Sequence, residues 1–273
     1  MRHMRQGICS AAAAATISLL CLAAPKAPAS AADAPCVAPA DLVRLDLPLE
    51  RTARHLAFRK LTLIVALGSS STAGSGASSA EASYPSRLMV ELARRFPTEP
   101  IMVLNRGVAG ERAVDMLARF DDTVASEHPD LVLWQLGTNA VLHGYEHAKS
   151  VSVIREGIRR IKATGADAVL IDPQYAPKVI ARSQANDMVD LISSAAAQEK
   201  ADVFHRFALM RYWHEHERFP FETFLSVDGL HMNDWGHSCL AKALADAIVD
   251  AAALDQTSRK DIKSEAATTG KAH

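Results

Sequence analysis

Leu61–Leu67 is a run of seven apolar or β-branched residues, the pattern of a strand buried on both faces, and it stops at Gly68 before Ser69-Ser70-Ser71-Thr72-Ala73-Gly74. Further short apolar runs follow at Ile101–Leu104, Leu131–Leu136, Ala168–Ile171 and Val203-Phe204. Between them, apolar residues recur at helical spacing: Leu88, Leu92 and Phe96; Ala113, Leu117, Phe120 and Val124; Val151, Ile154, Ile158 and Ile161; Ala185, Met188, Val189 and Ile192; then Leu240, Leu244 and Ile248. Uniformly apolar strands alternating with amphipathic helices predict an α/β fold with a parallel sheet and helices on both faces. Residues 32–60 read as an extended lead-in, Arg206–Val227 as a less regular aromatic-rich stretch, and 255–273 as a disordered polar tail.

At 273 residues the chain is long enough for one large core, and 49% hydrophobic with 22% charged residues is ordinary for a globular protein. Two arginines in the first six residues, an alanine-rich apolar run from Ile8 to Ala24 and Ala29-Ser30-Ala31 read as a signal peptide over 1–31. An export address follows, periplasmic or extracellular, with no stable membrane anchor once the segment is cleaved. Its removal takes Arg2, Arg5 and Lys26 away and moves the formal charge from −1 to −4, which offers nothing to nucleic acid. Cys36 and Cys239 then remain as an even pair in a disulfide-permissive compartment, either bonded or as two free thiols.

Polar, glycine-bearing turns follow the first three strands, and in a parallel sheet these share one edge. Acyl transfer needs a nucleophile, a base, a group that orients the base, and donors for an oxyanion. The first turn offers serines, the second Gly110, the third Asn139, and Ser226-Val227-Asp228-Gly229-Leu230-His231 supplies a carboxylate three residues before an imidazole. His237 is a rival base at the start of the last helix, with Asp234 three residues before it. His143 with His147, and the His214-Glu215-His216 cluster, read as surface histidines rather than metal ligands. Gln174 and Tyr175, after the fourth strand, are candidate substrate contacts.

These blocks resemble the SGNH hydrolase superfamily, often called GDSL-type esterases and lipases, over roughly Leu61 to Ala253. The resemblance implies a flavodoxin-like three-layer α/β/α sandwich with its hydrolase domain at 61–254. It implies Ser70 as nucleophile, Asp228 and His231 as acid and base, and Ser70 N–H, Gly110 and Asn139 as the oxyanion hole, without metal or organic cofactor. Ser69 stands where the family usually has aspartate before the nucleophile, which makes Ser69 and Ser71 rival nucleophiles. Ala140 stands where an aspartate often follows the asparagine. The expected activity is hydrolysis of a small-molecule or glycan ester, first of all O-acetyl esters of carbohydrate. Lysophospholipid or thioester cleavage, sugar O-acylation and non-catalytic glycan binding are the alternatives. The oligomeric state is not legible.

Overall fold

The computed structural model describes the backbone of residues 34–269 and side chains to Ala253. The signal segment lies outside these residues. Five strands, β1 (Thr62–Gly68), β2 (Ile101–Gly107), β3 (Leu131–Gln135), β4 (Asp167–Ile171) and β5 (Asp202–Phe204), form one sheet in the order β2-β1-β3-β4-β5. Every pairing is parallel, and the register aligns the carboxyl ends, Gly68 with Gly107 and Gln135 with Ile171. This is the flavodoxin-like order, in which the chain switches direction between β1 and β3 and opens a crevice at their carboxyl ends.

The three-layer arrangement follows from which helices pair. The helix Tyr84–Arg95 packs on the last helix, Asp234–Thr269, which also meets Glu50–Ala57, whereas His147–Ala163 packs on Ala185–Gln198 and Ala113–Ala118. Between them lie strand residues with no exposure at all, among them Ile64, Val65, Leu67, Leu133, Trp134 and Leu170.

Five stretches differ from the sequence reading. Residues 32–60 are not simply extended: they hold the short helices Ala40–Val43 and Glu50–Ala57, and Val43, Leu45, Leu49 and Leu56 are buried. The indoles of Trp213 and Trp235 donate to the carbonyls of Val37 and Ala34, and the sulfurs of Cys36 and Cys239 are paired with their Cα atoms 5.4 Å apart. β2 is an edge strand, half-buried rather than fully buried. The periodic stretch from Ala113 to Val124 breaks at Arg119 into Ala113–Ala118 and Phe120–Thr123. The aromatic-rich stretch contains a regular helix, Arg206–Glu215, that buries Phe207, Leu209, Met210 and Trp213. The last helix continues in backbone past Ala253, over the segment where the sequence predicts disorder, and its side chains there lie outside the described residues.

Candidate active site

β1 ends at Gly68, and the chain turns through Ser69 into a one-turn helix, Ser70–Ala73, closed by Gly74. The turn is held from beneath. Gln135 Oε1, on neighbouring β3, accepts from the Ser69 N–H at 3.0 Å, the Ser69 hydroxyl at 3.1 Å and the Thr72 hydroxyl at 3.2 Å. Asn105 Nδ2, on β2, donates to the Thr72 carbonyl at 2.8 Å. The small helix sits so close to the sheet that a Cβ on Gly107 would lie 2.1 Å from Ala73 N, so glycine is required there. Ser69 and Ser71 are buried, 3% and 2% exposed. Among the three serines it is Ser70 whose hydroxyl reaches an imidazole.

That imidazole is His231. Its Nε2 lies 2.9 Å from Ser70 Oγ and its Nδ1 2.5 Å from Asp228 Oδ2. With Nδ1–H directed at the carboxylate, Nε2 is the acceptor for the serine proton. Asp228 Oδ1 accepts from the Ser226 hydroxyl and from the N–H groups of Leu230 and His231, which fixes the loop around its own acid. Partial burial opposes the charge on Asp228, but the bond to His231, the two backbone donors and Ser226 together hold its carboxyl far below the usual range.

Gly110 and Asn139 come to the same edge. Gly110 has φ +83° with open space where a side chain would be, so a substrate atom can approach its backbone. Asn139 Nδ2 donates one N–H to the Glu111 carbonyl at 2.8 Å, which orients the amide and leaves its second N–H for another acceptor. The Ser70 N–H belongs to the first residue of its helix, where helix geometry supplies no partner. The Glu111 carboxylate binds Arg119, which also donates to the Arg106 carbonyl, so one ion pair braces the segment that carries Gly110.

Gln174 does not line the cleft. It is 1% exposed, and both ends of its amide are engaged. Oε1 accepts from the Thr138 hydroxyl at 2.7 Å and from Arg206 Nη2 at 2.9 Å, and Nε2 donates to the Leu230 carbonyl at 3.3 Å. It therefore ties the residue before Asn139 to the residue before His231. Tyr175 is half-buried, its hydroxyl donating to Glu215 at 2.7 Å and its ring edge-on to Phe207. Arg206 is wholly buried, which lowers its pKa to about 10 against the pull of Asp172 and leaves it charged. Gln135, Glu111 and Arg206 carried no sequence signal beyond being polar residues at strand ends or in loops.

His237, the rival base, is buried beneath the serine turn. Its Nδ1 accepts the Tyr84 N–H at 3.2 Å and its Nε2 faces the Ser75 carbonyl at 3.3 Å, so it is a neutral brace. Burial lowers its pKa to about 4, aided by Arg206 and His231 and opposed by the Ser75 carbonyl and Asp234. The unfolded chain then binds more protons than the folded one below the ordinary imidazole value of about 6.5, so stability is fully present above that pH and drains as pH falls toward 4. The loss attributable to this residue is roughly 3 kcal/mol. Urea unfolding at pH 7.5 and 4.5 checks it: wild type should lose substantially more stability over that interval than His237→Gln. Parallel losses would remove the assignment.

Among the described residues no group of three His, Cys, Asp or Glu side chains is placed to hold a metal ion. No described helix is long and apolar enough to cross a membrane.

A parallel sheet in this order, with a serine, histidine and aspartate hydrogen-bonded at its carboxyl edge, is consistent with the SGNH-type class of ester-hydrolysing enzymes. Comparison with known proteins agrees. Residues 35–254 match the model of the non-GDSL lipase-like family, and the chain belongs to that family. It is 26% identical over 169 residues, 62% of this chain and 80% of the relative, to an arylesterase of Vibrio mimicus. In fold it is similar to a two-domain esterase active on acetylated mannans, crystallised with mannopentaose, with a TM-score of 0.66 and 19% identity. That match covers 78% of this chain and 56% of the other, so the chain spans little more than half of the two-domain esterase. It is likewise similar to an acetylxylan esterase from Geobacillus stearothermophilus, with a TM-score of 0.58 and 19% identity over 68% of this chain and 94% of the other.

Proposed function

We propose that the chain is an exported serine esterase that removes short acyl groups, O-acetyl above all, from carbohydrate through Ser70, His231 and Asp228. The observation that carries this reading is the continuous hydrogen-bond line from Ser70 Oγ through the His231 ring to Asp228. A hydroxyl resting on one imidazole nitrogen, with the other nitrogen held by a carboxylate, is the arrangement acyl transfer requires. Ser70 Oγ attacks the ester carbonyl carbon while its proton passes to His231 Nε2. The oxyanion is met by the N–H groups of Ser70 and Gly110 and by the Asn139 amide. Collapse breaks the bond to the alcohol, which leaves with the proton from His231. Water, deprotonated by His231, then attacks the acyl–Ser70 ester, and the acid departs as the proton returns to Ser70.

The acetylated-glycan substrate is supported by the activities of the fold neighbours on acetylated mannan and acetylxylan, and export by the N-terminal pattern together with the paired Cys36 and Cys239. The mature protein should hydrolyse p-nitrophenyl acetate faster than the butyrate, octanoate or palmitate and should release acetate from O-acetylated oligosaccharides. Preference for long chains would replace carbohydrate by lipid as the substrate. No turnover of any ester would overturn the hydrolase reading.

A further inference from the structure

Three surface cavities beside the site share lining residues in series and together make a trough-like strip of surface. The first, about 460 Å³, is floored by Leu136, Ala140 and Met188 and rimmed by Arg112, Tyr145 and Lys149. The second, about 440 Å³, shares Gly144 with the first and adds His143 and Arg182. The third, about 300 Å³, shares Arg182 and Ser183 with the second and adds Tyr175, Phe207 and Arg211. One end borders the oxyanion residues: Gly137 and Ala140 flank the Thr138-Asn139 pair, and Arg112 follows Glu111, whose carbonyl holds Asn139. The other end borders the acid–base loop, because Lys178, in the helix Pro177–Ile180 whose last residue lines the third cavity, donates its N–H to the Gly229 carbonyl.

The chemistry along this trough is uneven. Most arginines of the described surface are ion-paired, as Arg95, Arg106, Arg119, Arg155, Arg159 and Arg160 are. In the trough, Lys149, Arg182 and Arg211 are exposed with no carboxylate of the described residues within 4 Å, and Arg112 has among them only Asp115 at 3.8 Å. The lining acids are Glu146 and Glu215, and Glu215 is already engaged by the Tyr175 hydroxyl. A half-buried tyrosine stands near each end, Tyr145 and Tyr175. Tyrosine rings offer apolar faces to sugar rings, and unpaired guanidinium and ammonium groups hold carboxylates.

We infer that this trough binds an extended acidic polysaccharide, a chain of uronate-type sugars, and presents its O-acetyl groups to Ser70. The inference rests on the esterase reading and narrows its substrate from carbohydrate in general to a polyanionic glycan.

The test uses the charge-reversal pair Lys149→Glu and Arg182→Glu, both on exposed side chains without ion-pair partners. In native gels cast with O-acetylated polygalacturonate, the catalytically silenced Ser70→Ala protein should be retarded, and adding the two reversals, or about 0.3 M salt, should abolish most of the retardation. In the active background, the reversals should lower kcat/KM on the same polymer about tenfold or more, almost all through KM. Hydrolysis of p-nitrophenyl acetate should stay within about twofold. Equal retardation by neutral O-acetylated xylan, or retardation indifferent to the reversals, overturns the inference. An enzyme active on p-nitrophenyl acetate but not retarded by the polymer overturns the trough and leaves the esterase standing. A protein inactive on every ester but retarded in a charge-dependent way overturns the esterase and leaves the trough.

Discussion

Ser70→Ala should lower kcat for p-nitrophenyl acetate by roughly 10⁴-fold or more, with little change in thermal stability, because removing the nucleophile of a triad eliminates most of what its members achieve together. The neighbouring serines make this a discriminating experiment. Ser69 is 3% exposed, and both its N–H and its hydroxyl go to Gln135 Oε1. Ser69→Ala removes one of three bonds to that oxygen and keeps the backbone bond, so the turn stays in place and kcat should fall about tenfold at most. Ser71 is 2% exposed and should tolerate alanine similarly. Fluorophosphonate labelling of the three variants gives the same answer without a substrate: label should be lost in Ser70→Ala alone. If Ser69→Ala or Ser71→Ala loses both turnover and label while Ser70→Ala keeps them, the nucleophile has been misassigned.

The sheet was legible because its signal is local. A strand buried on both faces must be apolar along its middle, and β1, β3 and β4 are apolar apart from Thr62, Gln135 and Asp167 at their ends, so their positions follow from composition alone. β2 was placed correctly but its burial was not, since an apolar run does not say whether a strand lies at the centre or the edge of a sheet. The helix Glu50–Ala57 was missed for a different reason. Its first backbone N–H groups, at Arg51 and Thr52, are taken by the carboxylate of Asp167, and Arg51 and His55 lie against Asp130. No residue just before the helix caps it, so a start signal sought nearby is not there. The candidate site divides in the same way. Ser70, Gly110, Asn139, Asp228 and His231 stand in compact blocks of sequence. The groups that hold them in place, Gln135, Glu111, Gln174 and Arg206, act across 28 to 66 residues of chain and are ordinary polar residues until the fold brings them together. Gln174 shows the limit well. Position after a strand marked it as near the site, but only burial distinguishes a group that touches substrate from one that joins two loops behind it.

Asp228, the proposed acid, should be almost as sensitive as the proposed nucleophile Ser70. Asp228→Asn is expected to lower kcat by about 10³- to 10⁴-fold while leaving the fold intact. The asparagine carbonyl can still accept the three donors that Asp228 Oδ1 now serves, from Ser226, Leu230 and His231, so the loop keeps its shape. Its amide, however, presents N–H to His231 Nδ1 where the carboxylate presented an acceptor. The imidazole then moves its proton to Nε2, the atom that must accept from Ser70, and the imidazolium formed during attack loses its counter-charge. Asp228→Ala is the harsher change to the structure, because it strands those donors, and should destabilise the loop as well as the reaction. The ionisation of Asp228 itself adds a check on pH dependence. Its carboxyl is held far below the usual range, so it remains charged throughout the mildly acidic region, and loss of activity there must arise elsewhere in the site. Steady-state kinetics with p-nitrophenyl acetate, paired with melting temperatures, separates the cases. An Asn variant within about tenfold of wild type would show that His231 does not depend on Asp228, whereas an Asn variant that is both inactive and unstable would show that the carboxylate serves the loop before it serves the reaction.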